Sequence, residues 1–453
     1  MNGESAAFEA KIMVACRGLL AQVGAARVIV ALSGGRDSTV LLHALAKRRV
    51  DLDVPLTAMH VNHGLQVDSD RWAAQCAVQC AALAVPLHMI KLTSGPPAGA
   101  SLEAWAREAR YGSFARSLVP RDLLLTAHHQ DDQAETFLLN ALRGAGPAGL
   151  RGIALLRPLG RAWLGRPLLS LQSDAIAHYA VRTSLEWHED PMNAATNLDR
   201  SFLRQQVLPL LREHWPAASR TLARSAALQR AAAAREQMLA DRILETAPVS
   251  SPRALTLTRL TDLTTDLQAS VLRRWIARAG FPAPDATHLE RILTCVIAAR
   301  GDRIPSVTWK GVCVRRYAET LFLLRERPLP ATAFERVWQP LHPLQLPGGI
   351  LSAVATHSEG LRADAVRAGL TVRVRTGGER CRLPGRTHHT TLKHLLQTYR
   401  VPPWERGDLP LVYVERELAA VANLFVCADF VAAQEAPGWR LCWAPHAAFE
   451  QAQ

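Results

Sequence analysis

A short loop rich in glycine and serine has the residue types best suited to bind phosphate. It reads Ser33-Gly34-Gly35-Arg36-Asp37-Ser38 and lies between an apolar run and a helix-like stretch. A turn from strand to helix directs backbone N–H groups and a helix N-terminus at an anion. Glycine lets the backbone approach a phosphate closely. Ser33 and Ser38 can donate hydroxyl hydrogen bonds, and Asp37 can hold a metal ion or cap the helix.

The spacing of this loop excludes two common nucleotide-binding motifs. It has no lysine of the G-x-x-x-x-G-K-[ST] type, and it is not G-x-G-x-x-G. The pattern S-G-G-x-D-S resembles the pyrophosphate loop of the ATP pyrophosphatases. In that superfamily the loop holds the β- and γ-phosphates while a nucleophile attacks the α-phosphorus, which implies adenylation with loss of pyrophosphate. On the residues alone, a strand-to-helix turn without a ligand remains the alternative.

A second group of polar residues leaves a later apolar run and opens a helical pattern. Residues 126–136 read T-A-H-H-Q-D-D-Q-A-E-T. Asp131 and Asp132 lie four and three residues before Glu135, so the three carboxylates are predicted to share one helical face. Clustered carboxylates at a strand end suit Mg²⁺ or an ammonium group. The alternative is that these acids only offset the dipole of the helix.

Two histidines and two arginines are further candidates. His60 and His63 close the second predicted strand, where they could contact phosphate or hold a polarised substrate. Turn histidines that bond to local backbone groups are the alternative. Arg200 and Arg204 are four residues apart and could face phosphates together. A solvated helix face would give the same spacing.

The alternation of apolar runs and helical patterns predicts the fold class. Strands are predicted at 28–32, 56–61, 87–92 and 123–127, and helices at 38–47, 69–84, 101–118 and 133–142. This order predicts an α/β domain with a doubly wound parallel sheet. Ligands then bind beyond the carboxyl ends of the strands, which is where both polar motifs fall.

The composition limits the class of protein. A net charge of +13 and an isoelectric point near 9.9 favour a nucleic-acid partner over a merely basic surface. The eight cysteines include no C-x-x-C pair, so no zinc-ribbon or iron–sulfur site is predicted. Reduced thiols and a cytoplasmic location are expected. The polar N-terminus does not resemble a signal peptide, and no apolar stretch has the length of a membrane span.

An ordered series of motifs resembles the tRNA(Ile)-lysidine synthetase family of the PP-loop ATP pyrophosphatase superfamily. The matching segments are residues 33–38, 60–65, 107–111, 128–136, 143–150, 166–169 and 189–209. The basic stretches 273–275 and 315–317 are similar to the family's substrate-binding domain. The segment V-P-P-W-E-R at 401–406 resembles the C-terminal domain of the long form.

The resemblance implies a ligase that modifies tRNA. It would use ATP and Mg²⁺ to adenylate the wobble cytidine of the CAU anticodon of tRNA(Ile). L-lysine would then displace AMP to form lysidine, which changes the specificity from methionine to isoleucine. No membrane partner is implied. A homodimer is compatible with the resemblance.

The resemblance also implies roles for individual residues. ATP would be bound by residues 33–38 and His60, with Asp37 as the metal ligand. The residues expected to take part in catalysis are Asp37, His63, Arg110, Asp132 and Glu135. The residues expected to bind the substrates are Arg110, His128, Asp131, Asp132, Glu135, Arg200 and Arg204.

The domain boundaries follow from the motifs and from shifts in composition. We expect a PP-loop catalytic domain at 1–216, followed by two smaller α+β domains. A linker helix and a basic tRNA-binding domain would occupy 217–330, with the helix itself at 219–246. A proline-rich linker is expected at 331–364 and a C-terminal tRNA-binding domain at 365–445.

Three other functions remain open on the sequence. A tRNA thiolase would share the ATP loop, but the thiolases most similar to this pattern carry paired C-x-x-C cysteines. An amidotransferase or an enzyme similar to GMP synthetase would act on a small molecule and would leave the basic C-terminal half unexplained. A non-catalytic tRNA-binding protein would not need the intact motifs at 33–38 and 128–135.

Overall fold

The fold is taken from a computed structural model of the chain. It describes residues 2–93, 95–97, 99, 102–189, 199–246, 251–299, 303–325 and 334–445. The chain divides into two compact units between Met238 and Leu239, inside a long helix. No helix of the described residues is long and apolar enough to cross a bilayer. Residues 190–198, part of the motif at 189–209, lie outside the described residues.

Unit 1 is built on a six-stranded sheet with the order β3-β2-β1-β4-β6-β5. Its strands are β1 (Arg27–Ala31), β2 (Leu56–Asn62), β3 (Leu87–Lys91), β4 (Asp122–Leu125), β5 (Leu156–Leu159) and β6 (Ala162–Gly165). All neighbouring pairs are parallel except β5 with β6. The doubly wound parallel sheet predicted from the sequence is confirmed, with one antiparallel strand at its edge.

Helices cover both faces of this sheet. They are α1 (Asn2–Val23), α2 (Arg36–Lys47), α3 (Ser69–Ala82), α4 (Leu102–Ser117), α5 (Gln130–Leu142), α6 (Pro147–Leu150) and α7 (Ser173–Arg182). Along β1 the side chains alternate between two cores, because successive residues of a strand point to opposite faces. Val28 and Val30 pack in the core that contains α1, α2 and α7, and Ile29 packs with Phe114 of α4.

The rest of unit 1 is helical and leads into the second unit. It contains α8 (Asp199–Phe202), a π-helical turn at Leu203–Val207, α9 (Leu208–His214) and α10 (Ala218–Glu245). Helix α10 agrees with the helix predicted at 219–246. Its N-terminal part contacts unit 1, since Arg230 donates hydrogen bonds of 2.8 Å to the carbonyl oxygens of Arg151 and Ile153.

After the C-terminal part of α10, unit 2 continues with a small α+β region. It has the antiparallel sheet β7-β10-β9-β8 and helices α11 (Thr265–Arg278) and α12 (Ala286–Arg291), the latter continuing into a π-helical stretch, Ile292–Ile297. The strands are β7 (Ala254–Thr256), β8 (Ser306–Trp309), β9 (Val312–Tyr317) and β10 (Thr320–Arg325). Their apolar faces pack on α11 through Val271, Leu272 and Trp275.

The C-terminal region contains one five-stranded sheet, one four-stranded sheet and a two-stranded ribbon. Its strands are β11 (Glu335–Trp338), β12 (Leu344–Leu346), β13 (Gly349–His357), β14 (Leu361–Arg362), β15 (Leu370–Arg373), β16 (Arg380–Cys381), β17 (Thr390–Thr391), β18 (Leu411–Val414), β19 (Glu417–Val421), β20 (Phe425–Val426) and β21 (Pro437–Pro445). Its helices are α13 (Ala363–Arg367) and α14 (Leu392–Thr398).

The structure differs from two expectations in this region. Residues 335–362, expected as a linker, form β11 to β14 and contribute Trp338 and Leu351 to the core. The prolines at 340, 343 and 347 lie between these strands, so they do not interrupt a hydrogen-bonding ladder.

Not all cysteines are reduced as expected, because Cys381 and Cys427 form a disulfide. Their separation of 46 residues gives no local pattern that would reveal the pair.

Candidate active site

A cleft of about 1050 Å³ lies at the carboxyl ends of β1, β2 and β4. This is the edge where a parallel α/β sheet binds its ligands. The residues predicted from the sequence that line it are Ser33, Gly35, Arg36, Asp37, Ser38, His60, His63, Arg110, His128, Asp132, Arg200 and Arg204. Gly34, Asp131 and Glu135 are not among its lining residues. The structure therefore brings most of the predicted residues to one cleft.

The phosphate-loop candidate is held in shape by its own hydroxyl groups. The Oγ atoms of Ser33 and Ser38 are 3.0 Å apart, and the N–H of Ser33 donates to Ser38 Oγ at 3.2 Å. Ser38 Oγ also donates to the carbonyl oxygen of Gly35 at 3.0 Å, which places it at the start of α2. The serines thus close the turn around a helix N-terminus, a fitting arrangement for phosphate.

Position 34 requires glycine, both because of its backbone conformation and because of the atoms that surround it. Its φ is +84°, a region that residues with a side chain rarely adopt. A Cβ atom at this position would lie 2.1 Å from Cε1 of His188. The His188 ring stacks on Trp72 with the ring centroids 4.5 Å apart, and the backbone N–H of His188 donates to the Gly34 carbonyl at 3.1 Å. A side chain at residue 34 would therefore disturb the wall of the cleft.

Gly34→Ala is expected to raise the KM for ATP at least about tenfold, because the loop must move away from His188. The left-handed conformation adds about 1–3 kcal/mol of strain. The measurement is ATP-dependent pyrophosphate release at varied ATP. Gly144→Ala is the matched control, since Gly144 also has a positive φ of +70° but nothing lies within 4 Å of its Cβ position. A folded Gly34→Ala protein with the parental KM would contradict this account of the loop.

His129 is a residue that the sequence analysis did not select. Its Nε2 atom lies 3.4 Å from Asp37 Oδ2 and 3.7 Å from Asp132 Oδ2. Its Nδ1 accepts the N–H of Asp131 at 3.3 Å, while Asp132 accepts the N–H of His129 at 2.8 Å, which forms a capping box for α5. Burial lowers the pKa of His129, but the carboxylates of Asp37 and Asp132 outweigh burial and raise it. His129 therefore connects the phosphate loop to α5.

The carboxylates of α5 are already paired with arginines. Arg204 donates to both oxygens of Glu135 at 2.6 and 3.0 Å and to Asp132 Oδ1 at 3.0 Å. Arg200 Nε lies 3.3 Å from Glu135 Oε2. Burial raises the pKa of Glu135, and Arg204 opposes this effect. The acceptors expected for a lysine ammonium group are thus held by a guanidinium, and Glu135 is completely buried beneath the cleft.

Asp131 does not share the surface expected for it. Its carboxylate pairs with Arg212 of α9 at 2.6 Å, and it does not line the cleft. Asp132 and Glu135 do share a partner, Arg204. Adjacent residues of a helix are rotated by about 100° from one another, so Asp131 and Asp132 point in different directions. The arginine that packs beside each carboxylate then decides its partner, which is Arg212 for Asp131 and Arg204 for Asp132. Asp131 therefore fixes α5 to the helices that follow the sheet.

Three histidines of the cleft, His60, His63 and His128, have lowered pKa values. Burial lowers the pKa of His60, whose Nδ1 donates to the Leu32 carbonyl at 2.8 Å. Burial, together with Arg110, lowers the pKa of His63 to about 4. Burial also lowers the pKa of His128 to about 3, and Arg166 acts in the same direction. The positive charge of the cleft is therefore carried mainly by arginines.

Lowering the pH from 7 to 5 is expected to destabilise unit 1 through His63 and His128. In the unfolded chain a histidine binds a proton near pH 6.5, whereas these two do so near pH 4 and 3. The contribution of each neutral histidine to the free energy of unfolding is therefore fully present above pH 6.5. It is lost as the pH falls towards the pKa of that histidine in the folded protein. We expect about 1 kcal/mol per histidine at pH 5, reduced by partial exposure to solvent. Urea unfolding at both pH values measures the loss, and equal losses in the His63→Gln and parental proteins would contradict it.

A magnesium ion would need ligands beyond the side chains of the cleft. Within the described residues no group of three or more His, Cys, Asp or Glu side chains is arranged to hold a metal. Asp37 is a carboxylate of the loop itself, in the first turn of α2. Mg²⁺ is commonly held by one or two carboxylates together with substrate phosphates. The donor set therefore fits a metal that binds together with a nucleotide.

The fold and the loop define the class of protein. A parallel sheet whose first strand ends in S-G-G-x-D-S is a PP-loop ATP-binding domain, and the family model of the PP-loop domain matches residues 8–211. The TilS substrate binding domain matches residues 255–322, and the TilS substrate C-terminal domain matches residues 370–443.

Curated relatives identify the family. The tRNA(Ile)-lysidine synthase of Xanthomonas campestris pv. campestris is 40% identical over 428 residues, covering 94% of this chain and 97% of its own. That of Alkalilimnicola ehrlichii is 40% identical over 420 residues, covering 92% and 93%. That of Coxiella burnetii is 37% identical over 414 residues, covering 91% and 92%. The chain belongs to the tRNA(Ile)-lysidine synthase family.

Proposed function

We propose that this chain is a ligase that joins L-lysine to the wobble cytidine of a tRNA(Ile) with a CAU anticodon. The base oxygen attacks the α-phosphorus of ATP and pyrophosphate leaves. The lysine amine then displaces AMP from the base to form lysidine. The observation that carries the proposal is one cleft at which the phosphate loop lies together with a carboxylate–arginine cluster, in a chain of this family. This cluster consists of Asp132, Glu135, Arg200 and Arg204.

The phosphate loop serves the first step. Ser33, Gly35 and Ser38 supply hydroxyl and backbone donors for the β- and γ-phosphates, and Asp37 would hold Mg²⁺ together with phosphate oxygens. The bound ion would offset the negative charge that develops as pyrophosphate leaves. His60 lies at the end of the neighbouring strand, where it contributes to the nucleotide site. His63 is neutral, so it contacts the nucleotide or the reacting base without adding charge.

The carboxylate–arginine cluster serves the second step. Asp132 lines the cleft, and His129 together with Arg204 lowers its pKa against the effect of burial. An ionised Asp132 can accept from a lysine ammonium group, and a carboxylate nearby can take the proton that a lysine nucleophile must lose. Glu135 holds Arg204 in place from below. Arg110, Arg200 and Arg204 lie at the cleft for the lysine carboxylate, the α-phosphate or the tRNA backbone.

An unpaired base suits this arrangement, because it can enter a pocket without the opening of a base pair. The net charge of +13 provides attraction for the phosphates of tRNA. His128 and Arg200 lie beside the carboxylates, on the surface that would face the base and the incoming amine.

The test is transfer of radiolabelled lysine to an unmodified tRNA(Ile) transcript with ATP and Mg²⁺. We expect label in the tRNA that requires ATP and disappears when the wobble cytidine is replaced by uridine. Pyrophosphate and AMP should each form in a one-to-one ratio with the label. A folded protein that binds the transcript but transfers no lysine would overturn the proposal, and sulfur donors would then be tested as the alternative nucleophile.

A further inference from the structure

Three arginines surround one tyrosine at the side of the cleft. The Cζ atoms of Arg107 and Arg157 lie 5.2 and 5.1 Å from the centre of the Tyr111 ring. Tyr111 also raises the pKa of Arg166 against the effect of burial, so this third arginine interacts with the same tyrosine. We call these four residues the Tyr111 cluster. It gathers three positive charges around a single side chain.

Among the side chains that the structure describes, no carboxylate forms an ion pair with Arg107, Arg157 or Arg166, so the Tyr111 cluster has no acidic partner there. Arg166 is only 3% exposed, donates to the carbonyl oxygen of Ala154, and has a buried Nε atom without an acceptor. Burial and the neighbouring arginines Arg157 and Arg107 lower its pKa. Buried charge of one sign is costly, so an anionic ligand would stabilise this arrangement.

The position of the cluster separates it from the phosphate loop. Arg107 and Tyr111 belong to α4 and line the cleft, Arg157 lies on β5, and Arg166 follows β6. In the sheet, β6 and β5 are two and three positions away from β1, at whose end the loop lies. β5 is an edge strand. A ligand could therefore approach the cluster from the side of the domain. This position suits a polymer, because one part of it can bind at the side while its reacting part enters the cleft.

We propose that the Tyr111 cluster binds a backbone phosphate of the RNA, next to the nucleotide that enters the cleft. The proposal rests on the proposed function and adds the position of one contact. Guanidinium groups bind phosphate oxygens through paired N–H donors, and three of them around one rigid ring can hold a phosphodiester in a fixed place. A phosphate bound at the cluster would determine how deeply the base of the neighbouring nucleotide enters the cleft.

The test is the binding of the unmodified tRNA transcript to the full-length protein, without ATP or lysine, at several salt concentrations. Arg107→Gln and Arg157→Gln are each expected to weaken binding about fivefold to tenfold. Each should reduce the slope of log Kd against log salt by about 0.7–0.9 if one phosphate contact is lost. Arg116→Gln is the matched control. It is exposed on the same helix and donates to Ser113 at 3.0 Å, so it should change neither quantity.

The same variants distinguish a backbone phosphate from other anions that could bind the Tyr111 cluster. An unchanged tRNA affinity and salt slope in both variants would overturn the proposal. A higher KM for lysine with unchanged tRNA binding would assign the cluster to the lysine carboxylate, and weaker ATP or pyrophosphate binding would assign it to the nucleotide. Since this binding assay involves no lysine transfer, a protein that shows the expected slopes but forms no lysidine would retain the phosphate site and refute the proposed function.

Discussion

Replacing Asp37 with alanine is expected to lower ATP-dependent pyrophosphate release at least 10²–10³-fold, while the affinity for tRNA stays near the parental value. Asp37 lies in the cleft at the start of α2, 2.9 Å from Nε of Arg36 and 3.4 Å from Nε2 of His129. Burial raises its pKa, but His129 and Arg36 outweigh burial and lower it. It is therefore ionised near neutral pH, as a ligand of Mg²⁺ must be.

Two further variants define the cause of this loss. Asp37→Asn keeps the shape of the side chain and removes its charge, so it should be nearly as inactive as Asp37→Ala. Asp53→Ala serves as the control, because the Asp53 side chain is 77% exposed and its partner is Arg17. Pyrophosphate release and tRNA binding are measured on the same preparations. Full turnover by Asp37→Ala would show that the loop is assigned incorrectly.

Glu135→Gln is expected to lower both stability and the use of lysine. The side chain is 0% exposed and pairs with Arg204 through both oxygens. Loss of its charge leaves guanidinium groups without a full counter-charge, which costs about 3 kcal/mol. We expect kcat/KM for lysine to fall roughly 100-fold as Arg204 shifts. Urea unfolding and lysine-transfer kinetics measure the two effects.

A double variant separates these two effects. Glu135→Gln combined with Arg204→Gln removes both charges of the two-bond pair, so part of the stability should return because neither of these two groups is left charged without the other. Lysine transfer should stay low, because Arg204 is absent from the cleft. Recovery of activity together with stability would instead assign Glu135 a purely structural role.

The parts of the site that could be predicted are those set by local pattern. The apolar run before Ser33 and the helical pattern after Ser38 fix a strand, a turn and a helix, so the loop had to lie at a carboxyl edge. The doubled aspartate was correctly placed at the start of a helix. That helix, α5, begins at Gln130 and not at residue 133 as predicted, because the His129 side chain caps it.

Contacts between distant residues could not be predicted in this way. Of the two adjacent histidines, sequence reasoning selected His128, whereas His129 is the one that reaches Asp37. The backbone direction at the end of β4 decides which ring faces the loop, and no spacing rule encodes it. The pairing of Asp131 with Arg212 likewise depends on where α9 packs. The doubled histidine was the only local sign that this position mattered.

Helix α10 has a consequence for how such chains can exchange parts during evolution. Its buried residues Ala226 and Ala233 lie before the division at Met238, and Ala240 and Leu244 belong to the core of unit 2. A recombination event at the boundary would therefore join half-helices that were selected against different cores. Exchange between relatives is expected to succeed at either end of α10 and to fail within it, so the two units are inherited with a shared helix.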